Sequence, residues 1–265
     1  MTDLNKFFDD GFLLKKKLFD QKTCEKTIKY LESRKPSLNI PFSNVGWGYG
    51  NLIDEKKMDH IIKNNYILEF CNSLFGENFI FNHLMINNKA PWIGPDVEWH
   101  QEVFNIDTYA PGGNNNVDSW TNYLQIYIAL DPHTLENGCL KVIPNSHKLG
   151  LLPHEDIVNS FFNHKRRIPF EVMNQIYKTN GIKNLIMESG DVLFFNHRFI
   201  HGSASNNSPF NRRSIVLQAR KPIERDLNKF EKETHYRKNF TIDFLKNKLE
   251  KLVGKNIYNS FKRKN

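Results

Sequence analysis

The sequence predicts a mainly β fold of the α+β class, a β-barrel or sandwich core with helical cover. Three observations carry that prediction. Apolar residues recur at helical spacing over the first 75 residues; from Phe79 onward short β-rich runs alternate with turn residues; and 265 residues are enough to bury one substantial core. One domain over residues 1–265 is expected, with N-terminal helices over about 4–75, a strand-built core over about 77–220 and a basic helical segment over about 221–265.

The elements follow in order. A short helix near residue 4 leads into a strand through Gly11-Phe12-Leu13-Leu14. A helix opened by Asp20 then covers roughly 22–32, with Cys24, Ile28 and Leu31 on one face, and Pro36 ends it. Residues 35–55 are rich in Asn, Gly, Ser and Pro with Trp47 and Tyr49 embedded, which reads as a loop with aromatic anchors placed to cover a pocket. Residues 58–74 read as a second helix with Ile61, Ile62, Ile67, Leu68, Cys71 and Leu74 on its apolar face, stopped at Gly76. Strands are expected over 79–88, 97–103 and 120–130, the last two joined by the loop Ala110-Pro111-Gly112-Gly113. A turn over 131–137, a strand over 139–143 and a loop through Pro144-Asn145-Ser146-His147 come next. A long mixed insertion fills 150–183, and strands resume at Ile186, 192–195 and 214–219.

Composition narrows the function classes. Of the formal charge of +8, a surplus of seven lies beyond residue 220, where 13 Lys and Arg face 6 Asp and Glu. With Phe230, Phe240, Phe244, Leu249 and Leu252 interspersed, that segment reads as amphipathic helices packed on the barrel. It carries no nucleic-acid motif beyond charge, so no nucleic-acid partner is expected. Cys24, Cys71 and Cys139 are odd in number and widely spaced, fitting neither a disulfide framework nor a CxxC zinc site, which points to a reducing, cytoplasmic setting. No signal-peptide pattern and no run of about 18 apolar residues occurs, so neither secretion nor a membrane span is expected.

The chemistry concentrates in Trp99-His100-Gln101-Glu102. On an extended strand, side chains two apart share a face, so His100 and Glu102 would present an imidazole and a carboxylate together. The segment 190–203 is the best supplier of a third ligand, His201. Two histidines and one carboxylate with open positions form the facial arrangement of non-haem Fe(II) oxygenases. Glu98 and Asp107 are rival carboxylates, Glu98 by sharing the strand face with His100. His197 shares a face with His201 in a regular strand, lining the pocket there, and is exposed if the strand bulges. His60, His83, His133, His154, His164 and His235 read as packed or capping groups, and Trp92, Trp99, Phe104 and Trp120 as core or pocket wall. Cys139 reads as a buried thiol.

Residues 5–220 resemble the phytanoyl-CoA dioxygenase family of Fe(II)/2-oxoglutarate-dependent oxygenases through blocks in one order. These are Trp99-His100-Gln101-Glu102, then Ala129-Leu130-Asp131 with Glu136-Asn137-Gly138-Cys139-Leu140, then Ile143-Pro144-Asn145-Ser146-His147-Lys148, Gly190-Asp191-Val192 and His201-Gly202-Ser203. The resemblance implies a double-stranded β-helix, a cupin-like jelly-roll barrel. It implies Fe(II) held by His100, Glu102 and His201, with 2-oxoglutarate and O2 as cosubstrates and hydroxylation of a small-molecule substrate. It assigns the distal carboxylate of 2-oxoglutarate to an arginine eleven residues past His201, which is Arg212, with Arg213 as its rival for that role. Alternation would set Arg212, Ser214 and Val216 on one face and Arg213, Ile215 and Leu217 on the other. Asn87, Lys89, Ser203 and Tyr127 fall at positions that line the cosubstrate pocket in relatives. The family pattern is His-x-Asp; here it is His-x-Glu, one methylene longer but of the same ligand type, which argues for oxygen insertion over halogenation. The alternative is a jelly roll that binds metal or ligand without turnover.

Overall fold

Two antiparallel sheets face one another as a double-stranded β-helix, with helices on their outer sides. The computed structural model describes residues 2–33, 46–47, 52–53, 56–102, 123–157 and 166–222. The expectations for the rest of loop 36–55, for loop 104–119, for Phe104, Asp107, Trp120 and His164, and for nearly all of the basic segment lie outside the described residues. The helices are α1 (Asp3–Asp10), α2 (Gln21–Ser33), α3 (Asp59–Ile62), α4 (Asn65–Phe75) and α5 (Phe170–Asn180). The strands are β1 (Phe12–Lys15), β2 (Gly46–Trp47), β3 (Ile80–Lys89), β4 (Val97–His100), β5 (Tyr123–Ala129) and β6 (Leu140–Val142). They continue as β7 (Glu155–Asp156), β8 (Arg166–Arg167), β9 (Lys183–Leu185), β10 (Val192–Asn196), β11 (His201–Ser203) and β12 (Arg212–Arg220).

The larger sheet runs β1-β10-β5-β12-β3-β2 and the smaller β4-β11-β6-β9, while β7 and β8 form a separate hairpin inside the 150–183 insertion. Period-two alternation divides the larger sheet cleanly. Leu13, Phe194, Ile126, Ile128, Ile215, Leu217, Leu84 and Ile86 point outward into a core shared with Phe7, Leu31, Ile67 and Phe70 of the helices. Phe12, Leu193, Phe195, Tyr127, Ala129 and Val216 point inward and meet Leu140, Val142 and Leu185 of the smaller sheet. A third cluster seals the outside of that smaller sheet, where Met173 and Ile176 of α5 pack on Ile143 and Ile200.

Local chemistry sets the boundaries. Thr2 caps α1 by accepting from Asn5 N, and Gly11 ends it at φ 81°, where an added Cβ would lie 2.2 Å from the His147 ring. Asp20 caps α2 through Thr23 N at 2.7 Å. The single helix expected over 58–74 is two, because extended Asn64 turns its side chain back to cap Ile67 N and breaks the ladder. The strand expected at Ile186 lies just before it, at Lys183–Leu185, where pairing to β6 is available; Ile186 itself is exposed. Trp92 is neither core nor pocket wall: it sits in a turn at φ 65° with its side chain 64% exposed.

Candidate metal centre

Strand β4 ends at His100, so the pleat expected to align Glu102 with it does not extend that far. Hydrogen bonds do the aligning instead. Glu102 N donates to His197 O at 2.9 Å. Gln101, 1% exposed, turns its amide into the chain: Nε2 donates to Gly150 O at 2.8 Å and Arg198 O at 2.7 Å, and Oε1 accepts from Leu152 N at 2.9 Å. Its backbone N donates to His154 Nε2 at 3.1 Å. One buried side chain thus ties the first two candidate ligands to the segment that carries the third.

His201 sits directly across from His100 in the β11–β4 ladder, with ring centroids 4.1 Å apart. Glu102 Oε1 lies 3.7 Å from His100 Nε2 and 3.4 Å from His201 Nε2, and the three ligand atoms fall within 4.8 Å of one another. Each Nδ1 faces a backbone carbonyl, Glu98 O at 2.7 Å and Phe199 O at 2.9 Å. A carbonyl only accepts, so the protons belong on Nδ1 and each Nε2 presents its lone pair to the same point as the carboxylate. Burial, and then His201, hold the His100 imidazole below its ordinary pKa, which favours the neutral ligand form. Three converging lone pairs repel unless a cation sits among them, so this donor set fits a divalent metal with open positions.

The rival carboxylates do not compete among the described residues. A register shift between β4 and β11 takes Glu98 off the His100 face, and Arg167 Nη1 holds its carboxylate at 2.9 and 3.2 Å. Ser203 is buried in β11 and lines the cleft under α5 with Trp99, Lys141 and Arg167. His197 is buried, and burial, then Arg198, pushes its imidazole down to about 4.

A second cluster lies along the inner face of the larger sheet. Lys89 and Arg212 pair across β3 and β12, 0% and 3% exposed, and among the described residues neither has an ion-pair partner. Lys89 Nζ donates to Ala204 O and Arg212 Nη1 to Gly138 O, each at 2.5 Å. Gly138 takes φ 74°, and a Cβ there would lie 2.1 Å from Ala204 O, so only glycine lets both carbonyls converge on Lys89 and Arg212. Among the described residues Arg212 Nε and His133 Nδ1 are buried without hydrogen-bond partners, and the Tyr127 and Ser214 hydroxyls sit together beside them. Asn87 is paired with Ser214 on the same face. A buried arginine and lysine beside these polar atoms form a cradle for a carboxylate. Arg213 points the other way, with a bidentate bond to Asp131 at 2.7 and 2.9 Å and a further contact to Glu32.

Sequence reasoning missed Gln101 as a clamp, and His133 and Gly138 as walls of the cradle. Gln101 and Gly138 stand inside blocks quoted above, but nothing local says which backbone groups their positions meet.

A sequence model of the family described as Phytanoyl-CoA dioxygenase (PhyH) matches residues 7–214. The peroxisomal phytanoyl-CoA dioxygenase of Bos taurus is 32% identical over 156 residues, covering 56% of this chain and 42% of that protein. The ectoine dioxygenase of Bordetella bronchiseptica is 22% identical over 226 residues, covering 78% of this chain and 71% of that one. In three dimensions the chain is similar to EctD from S. alaskensis, solved with 2-oxoglutarate and 5-hydroxyectoine, at a TM-score of 0.62 and 19% identity over 82% of this chain and 74% of that one. At that identity the likeness is one of fold.

Proposed function

This chain belongs to the phytanoyl-CoA dioxygenase family, and on that premise we propose that it is an Fe(II)- and 2-oxoglutarate-dependent dioxygenase that hydroxylates a small organic molecule. The observation that carries the proposal is the convergence of His100 Nε2, His201 Nε2 and Glu102 Oε1, with both Nδ1 atoms committed to carbonyls. Those three atoms would hold the iron. When bound, Fe(II) with 2-oxoglutarate and O2 supplies an oxidant for a substrate C–H bond, with decarboxylation of 2-oxoglutarate to succinate.

The protein's own work is positioning. The Glu98 and Phe199 carbonyls hold the imidazole tautomers, and the Gln101 clamp holds the spacing between ligands. Arg212 and Lys89 bind the far carboxylate of 2-oxoglutarate, Arg212 through its planar fork and Lys89 by taking up a proton as the anion arrives. Tyr127 and Ser214 offer hydroxyls to the same group, with Asn87 on the adjoining strand. Leu140, Val142, Leu193, Phe195 and Val216 keep water from the space between the sheets. Ser203, buried one residue before the Ala204 carbonyl that Lys89 meets, is a further hydroxyl candidate for the cosubstrate and also borders the cleft under α5.

A cytoplasmic location belongs to the same proposal: Cys24, Cys71 and Cys139 are buried free thiols, as suits a reducing compartment. Among the described residues no helix is long and apolar enough to cross a membrane. Anaerobic addition of Fe(II) and 2-oxoglutarate should give a visible charge-transfer band and, in air, iron-dependent succinate release. Both should vanish in His100→Ala and in His201→Ala; undiminished release in either variant would falsify the assignment.

A further inference from the structure

Beyond the cradle and the metal centre, one level of the barrel's inner face remains unused. Strand register puts His83 of β3 opposite Gln218 of β12, Gln218 opposite Gln125 of β5, and Gln125 opposite Phe195 of β10. Directly opposed residues share a face, and Phe195 belongs to the inner cluster, so this row of side chains looks into the barrel. Phe195 also packs its ring 4.8 Å from the His201 ring, which sets the row at the height of the metal centre. Lys89 and Arg212 lie three opposed pairs further along the same face, past Met85–Val216 and Asn87–Ser214.

The row is polar yet carries no charge. Gln125 is 1% exposed and its Oε1 is buried with no hydrogen-bond donor among the described residues. Gln218 Oε1 accepts from Asn82 Nδ2 at 3.4 Å, a bond that leaves its NH2 as a donor. Burial holds the His83 imidazole below its ordinary pKa, in the neutral form with one donor and one acceptor. His197, one level further out, donates from one ring nitrogen to the Tyr123 carbonyl, and its Nδ1 is buried without a partner among the described residues. A core placing uncharged hydrogen-bonding groups here with an acceptor left unmet is costly unless a ligand meets it. Arg220, buried at the outer end of β12, spends Nη1 on the Lys221 carbonyl at 3.1 Å.

We propose that Gln125, Gln218 and His83 form the substrate subsite, and that they select an uncharged group that both donates and accepts hydrogen bonds, a carboxamide or hydroxyl, on an otherwise apolar body. The apolar body is matched by Phe12, Phe195 and Val216, which flank the row. The assignment rests on the dioxygenase reading above, since it makes the metal-facing row a substrate contact.

The test uses the full chain loaded anaerobically with Fe(II) and 2-oxoglutarate, and four probes on one skeleton: cyclohexanecarboxamide, cyclohexanol, cyclohexanecarboxylate and methylcyclohexane. Approach to the metal is read from the line broadening that the iron causes in each probe's proton spectrum, and loading from the charge-transfer band. The carboxamide and the alcohol should bind, the carboxylate and the hydrocarbon should not, and Gln125→Leu should weaken the carboxamide roughly tenfold with the band intact. Gln218→Leu, checked the same way, covers the event that Gln125→Leu fails to fold. Preference for the carboxylate would hand recognition to Arg220 and overturn the proposal, as would binding of methylcyclohexane, binding of no probe, or an unaffected carboxamide in both variants. Loss of the band in Gln125→Leu would move that residue to the cosubstrate and overturn it too. Absence of the band in the wild-type protein is a different result, one that defeats the dioxygenase reading itself.

Discussion

Lys89→Met probes the cation cradle through the cost that the native protein carries there. Burial, and after it the charge on Arg212, pulls the Lys89 ammonium from its ordinary 10.5 to about 6. At pH 7 the folded, cosubstrate-free chain holds this lysine mostly neutral. At about 1.4 kcal/mol for each pH step between 7 and the ordinary value, surrendering that proton costs roughly 5 kcal/mol. The sign follows from proton counts. Between pH 6 and 10.5 the unfolded chain binds the extra proton, so stability rises with pH across that window, and the full cost is felt below pH 6. Methionine matches the length and carries no charge, but it abandons the bond to Ala204 O, a loss of about 1–3 kcal/mol. The net expectation is a gain of about 2–4 kcal/mol at pH 7, shrinking as pH approaches 10. Urea unfolding of the iron-free, cosubstrate-free protein at pH 7 and pH 9.5 measures it. In the same variant 2-oxoglutarate should bind about 10–100-fold more weakly, as expected for one lost charge-assisted bond. Destabilisation at pH 7, or a gain that does not change with pH, would refute the cradle as a site where stability is surrendered for anion binding.

Other outcomes follow from the same geometry. Because Lys89 must regain its proton when a carboxylate arrives, 2-oxoglutarate affinity should fall as pH rises above about 6, with net proton uptake seen by calorimetry in buffers of different ionisation enthalpy. Arg212→Ala should raise the KM for 2-oxoglutarate and leave folding stability nearly intact. Arg213→Ala should do the reverse, costing about 3 kcal/mol in denaturant because it leaves the half-buried Asp131 carboxylate without its partner. Gln101→Leu keeps the side-chain volume but loses three buried hydrogen bonds, and should weaken Fe(II) binding about 10–100-fold in anaerobic titration while near-wild-type circular dichroism reports an intact barrel.

Much of the scaffold was legible from periodicity. Alternation over 212–217 separated inward Arg212, Ser214 and Val216 from outward Arg213, Ile215 and Leu217, and the sheet divides them that way because one-sided burial enforces a period of two. Helical spacing placed Cys24 and Leu31 in the helix-side core. Boundaries were less legible: Asn64 splits a helix by capping, and β4 stops two residues before Glu102, because both depend on which hydrogen bond wins locally.

At the candidate centre, residue order pointed to His100, Glu102 and His201, and the family resemblance implied Arg212 and Lys89 as partners for an anion. Local pattern determines residue type, face and approximate element, since these follow from sterics and from burial of one side. Tertiary structure alone decided what those residues meet across the chain: the loops that Gln101 clamps, and the Ala204 and Gly138 carbonyls beside Lys89 and Arg212. It also decided the register that sets His83, Gln218 and Gln125 in one row. The reason is physical. Gln101 meets Gly150 across 49 residues and Lys89 meets Ala204 across 115, and no local propensity encodes which distant backbone group a buried polar atom will find.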